Sequence, residues 1–467
     1  MGGRAGSAGQ GADNVSAGAE RLIGDLKDIF SSAIEAVDPY NAVKNSLRLE
    51  GGFLLVGKKG GEVKILLPEK GRIVAVGAGK GSAPMAQALE EVFGEALTSG
   101  VICVKDGHAL PLKTIKVHEA SHPVPDARSL AAGEEILSAV SALGEDDLLI
   151  SLLSGGGSAL LTLPAEGISL KELREVTETL LASGASIGEV NAIRKHLSRV
   201  KGGRLALAAY PAKVVNLALS DVIGDSLDVI ASGPFTADAS TFEEAWGVVE
   251  RYSIEDKLPL SVSTLLKRGV AGEAEETPKE GDPRVDGVTN CIVGSNRKSL
   301  EAAAKRSREL GYKPVILTST LSGEARSAAR FLASIAKESL AYGDPATPPV
   351  SFIAGGETTV TLKGSGKGGR NQEMALAFSL FIEGISGVAM LSCGTDGTDG
   401  PTDAAGGAVD GQTAARARLM GLDPEASLED NDSYNLLEGV GALVKTGPTR
   451  TNVMDVQVIL LAPNREK

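Results

Sequence analysis

The sequence predicts an α/β protein of two α/β/α domains on mostly parallel sheets, the larger of them Rossmann-like and the smaller with a mixed sheet. Three observations predict it. Short apolar runs rich in β-branched residues recur along the chain, each too short for a buried helix. Segments of helical periodicity separate most of them, and the runs are apolar on both faces, as strands covered by helices on both sides require. One stretch, Ala271 to Gly287, loses all periodicity and gathers Pro, Gly and Glu, which divides the series in two.

In chain order, residues 1–20 are Gly/Ala/Ser-rich without an apolar core and read as a disordered leader, not a signal peptide. A first domain is expected over 21–270, with strands at "RIVAV", "GVICV", "TIKV", "DLLISLL" and "AKVVNLAL". Asp126 is placed to cap the helix that "DARSLAAGEEILSAVSAL" predicts, and a basic helix is expected over Asn191 to Arg204. The linker follows at 271–287. A second domain over 288–464 carries "NCIVG", "KPVILT", "VSFIAG", "GVAMLSC" and "VQVILL". Within it Gly355 and Gly356 lie between two β-like runs, a hairpin signal that makes this sheet mixed, and a helix is expected from Asn371 to Phe381.

Composition excludes several functions. A net charge of −13 over 467 residues argues against a nucleic-acid or membrane-surface partner, since both want a basic face. Aromatic residues at 3% leave little for base stacking. Cys103, Cys291 and Cys393 are too far apart for a local zinc motif and odd in number, so a reducing cytoplasm is expected. The longest apolar run, Met374 to Ile382, is half a membrane span. Monomer and homodimer remain open.

Glycine, at 58 residues, is well above the usual ~7%, and it collects just after the expected strands. Ligands of open α/β sheets bind beyond the carboxyl ends of strands, which gives such loops weight. Five qualify: "GAGKGS" with Gly79 and Lys80; "SGGGSA", from Ser154 through Gly155, Gly156 and Gly157 to Ser158; "SDVIGD" with Asp221 and Asp225; "GGET" with Gly355, Gly356 and Glu357; and the loop from Gly394 to Gly407. The first is not a Walker loop, because Gly81 and not Ser or Thr follows Lys80. Nor is it a full dinucleotide fingerprint, because Ser82 stands where the third glycine belongs. It is either an anion site at a helix start or a βα turn whose lysine faces water. Three successive glycines allow neighbouring N–H groups to converge on an oxyanion, with Ser154 and Ser158 adding hydroxyls.

Positive charge is concentrated locally. Lys195 and Arg199, four apart on the expected basic helix, would share a face, and Arg370 follows Gly369 at the start of the second-domain helix. Asp221, Asp225, Asp396, Asp399 and Asp403 supply carboxylates for magnesium or, equally, caps for turns. His118 and His122 fit H-E-x-x-H, yet Pro123 and Pro125 deny the helix that a zinc site needs. Glycine cradles, cations and carboxylates together suit phosphoryl transfer.

The motifs "LSGGGSALL", "ASIGEVNAIRKHLSRVKGGRLA", "LSDVIGDSLDVIASGP", "GGETTVTLKGSGKGGRNQEMAL", "GTDGTDGPTDAAGGAVDG" and "NDSYNLL…TGPTRTNVMD" resemble the class II glycerate 2-kinases, whose C-terminal half is called the MOFRL domain. The resemblance implies phosphorylation of D-glycerate at its 2-hydroxyl by ATP with magnesium, in a cleft between two α/β domains. It puts the family's essential lysine on Lys80 and its essential arginine on Arg370. On this basis the nucleotide phosphates are expected on the loops from Gly79 and from Ser154 to Ser158, and on Gly355, Gly356, Glu357 and Gly369. Glycerate is expected against Lys195, Arg199 and Asn371, with Asp221 orienting or deprotonating its hydroxyl, and magnesium at Asp221, Asp225 and Asp396. The chain departs from the pattern at "GSAP" after Lys80 and at Arg450. The competing expectation, a nicotinamide-dependent hydroxypyruvate reductase, lacks its last fingerprint glycine.

Overall fold

A computed structural model describes residues 8–57 and 60–462. The chain folds as two units: a middle unit, Pro39–Val293, and a terminal unit made of Met1–Asp38 with Gly294–Lys467. Among the described residues no helix is long and apolar enough to cross a membrane.

The middle unit opens with a small antiparallel sheet, β1 (Leu47–Glu50), β2 (Phe53–Val56) and β3 (Val63–Leu66), half of it exposed. Its main sheet holds β4 (Ile73–Ala78), β5 (Ser99–Lys105), β6 (Ile115–Ala120), β7 (Leu148–Leu153), β8 (Lys213–Leu219) and β9 (Thr289–Gly294) in the order β6-β5-β4-β7-β8-β9. The pairs β4–β5, β4–β7, β5–β6 and β7–β8 are parallel. Every residue of β4 and β7 is buried, which explains why both read as unbroken apolar runs. The helix Ala127–Ser141 starts at Asp126, whose carboxylate accepts from the N–H groups of Arg128 and Ser129.

The terminal unit holds β10 (Lys313–Leu321), β11 (Val350–Gly356), β12 (Val388–Gly394), β13 (Gly406–Asp410), β14 (Leu443–Val444) and β15 (Asp455–Leu461), ordered β10-β11-β15-β12-β13-β14. Among the described strands of this sheet only β10–β11 is a parallel pair; β15 runs antiparallel to both neighbours, so β11 and β12 point the same way and their carboxyl ends share an edge with the start of β15. The run Met374 to Ile382 is the latter part of the helix Arg370–Phe381 with its C-cap Ile382, buried on nearly all sides within this unit.

Several boundaries fall elsewhere than expected. Residues 1–7 of the leader and 463–464 of the second domain lie outside the described residues, but from Ala8 to Glu35 the chain is one helix. Leu22, Leu26, Ile29 and Phe30 of that helix join the core of the terminal sheet, because their i, i+4, i+7 spacing makes one apolar face. The expected linker at 271–287 is part of the middle unit: Thr277 is buried, Pro278 accepts from the Asp238 N–H, and Pro283–Asp286 form a short helix. β9, placed in the second domain by sequence, joins β8, with Asn216 Nδ2 donating to Asn290 Oδ1 at 2.9 Å. No hairpin forms at Gly355 and Gly356: both end β11, and a side chain at Gly355 would meet Asn296 Oδ1 at 2.2 Å. The sheet is mixed because of β12 to β15.

Candidate active site

In the middle unit the loops after β4, β7 and β8 leave the same edge of a parallel sheet. The first two are interlocked. The Lys80 N–H donates to Gly155 O at 2.8 Å, the Gly81 N–H to Ser154 Oγ at 2.9 Å, and the Ser154 N–H to Ala78 O at 3.1 Å. Gly79 has φ +141°, and a Cβ there would lie 2.1 Å from Ser154 Oγ, so only glycine permits this approach. Ser82 is buried, with its hydroxyl donating to Leu152 O at 2.9 Å and 3.3 Å from Ser154 Oγ. Among the described residues, the N–H groups of Gly155 and Gly156 donate to no protein acceptor.

Ser158 anchors the far side of the glycine run. Its hydroxyl is 2.9 Å from Ser232 Oγ, in a stretch where Ala231, Ser232 and Gly233 all have positive φ. For Ala and Ser this conformation stores strain, of the kind found beside ligand sites. Two basic side chains converge on the Ser158 carbonyl: Arg194 at 3.1 Å and Lys201, which also reaches Leu161 O, at 2.8 Å. Burial, reinforced by Arg194, pulls the Lys201 pKa well below that of an ordinary lysine.

The expected Lys195–Arg199 face does not exist. The helix Ile187–His196 ends before Arg199, which is exposed, while Lys195 is buried and paired with Asp228 at 3.2 Å and Asp238 at 3.1 Å. Beyond His196 the chain leaves the helix, Ser198 bridging antiparallel to Pro164, and Gly203, with φ +78°, precedes a separate helix, Arg204–Ala209. Asp221 and Asp225 lie on the loop after β8, Asp225 with φ 56°. His118 and His122 diverge: His118 Nε2 is 2.6 Å from Glu135 on the helix Ala127–Ser141, whereas His122 packs against Gly156. The zinc pattern therefore has no helix to carry it.

In the terminal unit Arg370 opens the helix Arg370–Phe381 and grips Asp455 with both arms, Nε to Oδ2 at 2.7 Å and Nη2 to Oδ1 at 2.9 Å. Its third contact is Glu357, 2.7 Å from Nη1. Asp455 begins β15 opposite Gly356 on one side and Gly394 on the other, and is fully buried. Burial outweighs the Arg370 partner and lifts its carboxyl to about 6. The helix start itself is taken: Asp399 accepts from the N–H groups of Asn371 at 3.1 Å and Gln372 at 2.8 Å. A Cβ on Gly369 would collide with Asp399 Cγ at 2.3 Å. Asn371, expected at the substrate, is buried, accepting from Ser392 Oγ at 2.7 Å. Asp396 Oδ1 accepts from the N–H and hydroxyl of Thr398, and Asp403 pairs with Tyr434 and Lys445.

Residues 25–267 match the family described as "Domain of unknown function (DUF4147)", and residues 350–455 match the MOFRL family. A Pyrococcus horikoshii protein named glycerate 2-kinase is 44% identical over 446 residues, 95% of this chain and 97% of that one. The chain belongs to the glycerate 2-kinase family. Within this family, the crystal structure of a Thermotoga maritima glycerate kinase superposes with a TM-score of 0.85 at 45% identity, covering 95% of this chain and 100% of that one. An Agrobacterium vitis relative, 43% identical and covering 93% of this chain and 94% of its own, carries the provisional name hydroxypyruvate reductase. For a glycerate 2-kinase family chain, three features escaped the sequence: Asp455, hidden in an apolar strand; the Arg194–Lys201 anchor, not told apart within the expected basic helix; and His122, set aside with the zinc pattern.

Proposed function

We propose that this protein transfers the γ-phosphoryl group of ATP to the 2-hydroxyl of D-glycerate, giving 2-phosphoglycerate. The observation that carries the reading is the interlock of the lysine loop with the glycine run, in a chain with full-length likeness to glycerate 2-kinases. That interlock presents the Gly155 and Gly156 N–H groups beside Lys80, donors suited to phosphate oxygens.

In this mechanism Lys80 neutralises the transferring phosphoryl group and Asp221 orients the attacking hydroxyl. Arg370 has five N–H donors, of which three go to Asp455 and Glu357, leaving two for an oxyanion. Glu357 and Asp455 hold the guanidinium in place. Gly79, Gly355, Gly356 and Gly369 act by permitting close packing, and Lys195 positions Asp228 on the loop that carries Asp221. Asn371 acts with Asp399 at the helix start, and Arg199 carries no part in the chemistry.

Among the described residues no three His, Cys, Asp or Glu side chains form a metal cage. Two carboxylates on one loop, Asp221 and Asp225, fit magnesium, an ion that commonly takes one or two carboxylates and completes its shell with phosphate and water. They would hold it; magnesium would supply charge neutralisation on the phosphates. Asp396 serves as the cap of its own loop.

The reductase reading has a relative's name behind it, but Ser82 fills the position where a nicotinamide fold needs glycine, and its hydroxyl is bonded inward. ADP release on adding D-glycerate to enzyme, ATP and magnesium tests the proposal. Oxidation of NADH by hydroxypyruvate without any ATP requirement would overturn it.

A further inference from the structure

The loops after β5 and β6 leave the same sheet edge as the lysine loop and the glycine run, and they bring a second cluster to it. Lys105 ends β5, His108 follows with Nδ1 3.1 Å from Lys80 O, and His122 lies two residues beyond β6. A Cβ built on Gly156 would come within 2.9 Å of His122 Cδ2, 3.0 Å of its Nε2 and 3.6 Å of Lys80 Cγ. The imidazole thus rests on the glycine run, next to the stem of Lys80. Gly156, with φ +85°, is the residue that leaves it room.

Among the described residues the His122 ring makes no hydrogen bond. Neither ring nitrogen is among the buried polar atoms left without a partner, so the half-buried ring remains open to a ligand from outside the chain. Burial, then Lys80, Lys105 and His108, hold its pKa down at about 4, so the ring is neutral near pH 7 and carries one N–H. Those groups, Lys80, Lys105 and His108, are all basic. A neutral ring has one N–H to give, and basic surroundings favour a negatively charged acceptor for it.

We propose that His122 is a ligand-binding residue of this site, donating a ring N–H to an oxyanion held between Lys80 and the glycine run. The inference rests on the kinase reading for the ligand's identity: the oxyanion is the carboxylate of the hydroxy acid or an oxygen of the transferring phosphate. Kinetics separate the two. His122→Phe keeps the ring's packing on Gly156 and removes the donor; His122→Gln keeps a donor.

A lost bond to a charged acceptor predicts an effect of about 10- to 100-fold for His122→Phe, with partial recovery in His122→Gln. A rise in KM for D-glycerate alone assigns the carboxylate; a fall in kcat at unchanged KM assigns the transferring phosphate. Activity within about twofold of wild type for a folded His122→Phe protein overturns the proposal. The second measurement uses the wild-type protein, so it stands even if the variant fails to fold. Imidazole NMR resonances are followed while inorganic phosphate or D-glycerate is added, and with four histidines in the chain assignment is direct. A shift of the His122 ring with either probe is expected, and no shift with either overturns the proposal. Should the wild-type enzyme fail to turn over glycerate, the kinase reading falls while the phosphate titration still decides the role of His122.

Discussion

At the residue scale, the paired loops divide into groups that hold and groups that act. Ser154, Ser82 and Gly79 are consumed in fixing the turn, while the Lys80 ammonium stands at the end of a stem packed near Gly156. Lys80→Met retains that stem and removes the charge. Turnover should drop by about 100- to 1,000-fold, the scale of losing one electrostatic contact to a transition state, with the thermal unfolding midpoint unchanged. Wild-type kcat in this variant would remove Lys80 from the chemistry. Lys80 stood out in the sequence as a lysine among glycines after an apolar run, but that pattern alone fits a turn whose lysine faces water, and the family resemblance is what singled it out. Asp455 did not stand out, since one acidic residue at the head of "VQVILL" signals nothing until β15 is seen to lie between Gly356 and Gly394. The same limit applies to Lys195: its spacing from Arg199 was real, but the fold buried one and exposed the other.

At the element scale, strands were the readable part. The ten apolar runs of the two halves became ten strands, and β4, β7, β11, β12 and β15 are buried throughout, which leaves an unbroken apolar signature. The short β1 to β3, β13 and β14 left none, being partly exposed or only two to five residues long. Where β4 and β7 begin, a single carboxylate ties the sheet's entry edge. Asp147 accepts from the Arg72 backbone N–H at 2.6 Å, from its guanidinium, and from the Gly144 N–H at 2.9 Å. The Arg72 bonds and those backbone N–H groups, working against burial, bring its pKa from 3.8 to about 2. A depressed carboxylate contributes stability above its unfolded pKa and loses it as pH falls through the folded one. Discounted for the half-exposed arginine, the contribution is about 1 kcal/mol at pH 7. Asp147→Asn should therefore melt below wild type at pH 7, and the gap should close as pH falls from 4 to 2. A gap that stays constant with pH would show that the carboxylate's charge is not its cause.

At the scale of the whole molecule, the chain's first helix belongs with its last strands. Sequence order assigned residues 21–38 to the first domain, since nothing local distinguishes an amphipathic helix that packs nearby from one that packs some 270 residues away. The structure ties it to the terminal unit through Asp28 with Arg306, Asp25 with Tyr312, and Thr451 Oγ1 donating to Val37 O at 2.7 Å. Leu22, Leu26, Ile29 and Phe30 bury fully or nearly so. At about 1.5–3 kcal/mol each, they match the whole stability of a typical domain. Deleting residues 1–38 should leave the terminal unit open to limited proteolysis throughout its length while the middle unit stays resistant. Equal resistance of both units would contradict this assignment.

The chemical outcome is what the account must finally answer for. The most direct measurement offers the reaction product, formed from ATP and D-glycerate, to enolase without phosphoglycerate mutase. Immediate dehydration to phosphoenolpyruvate is the result expected of transfer to the 2-hydroxyl. A product that enolase ignores until mutase is added would place the phosphate on the 3-hydroxyl and contradict the assignment.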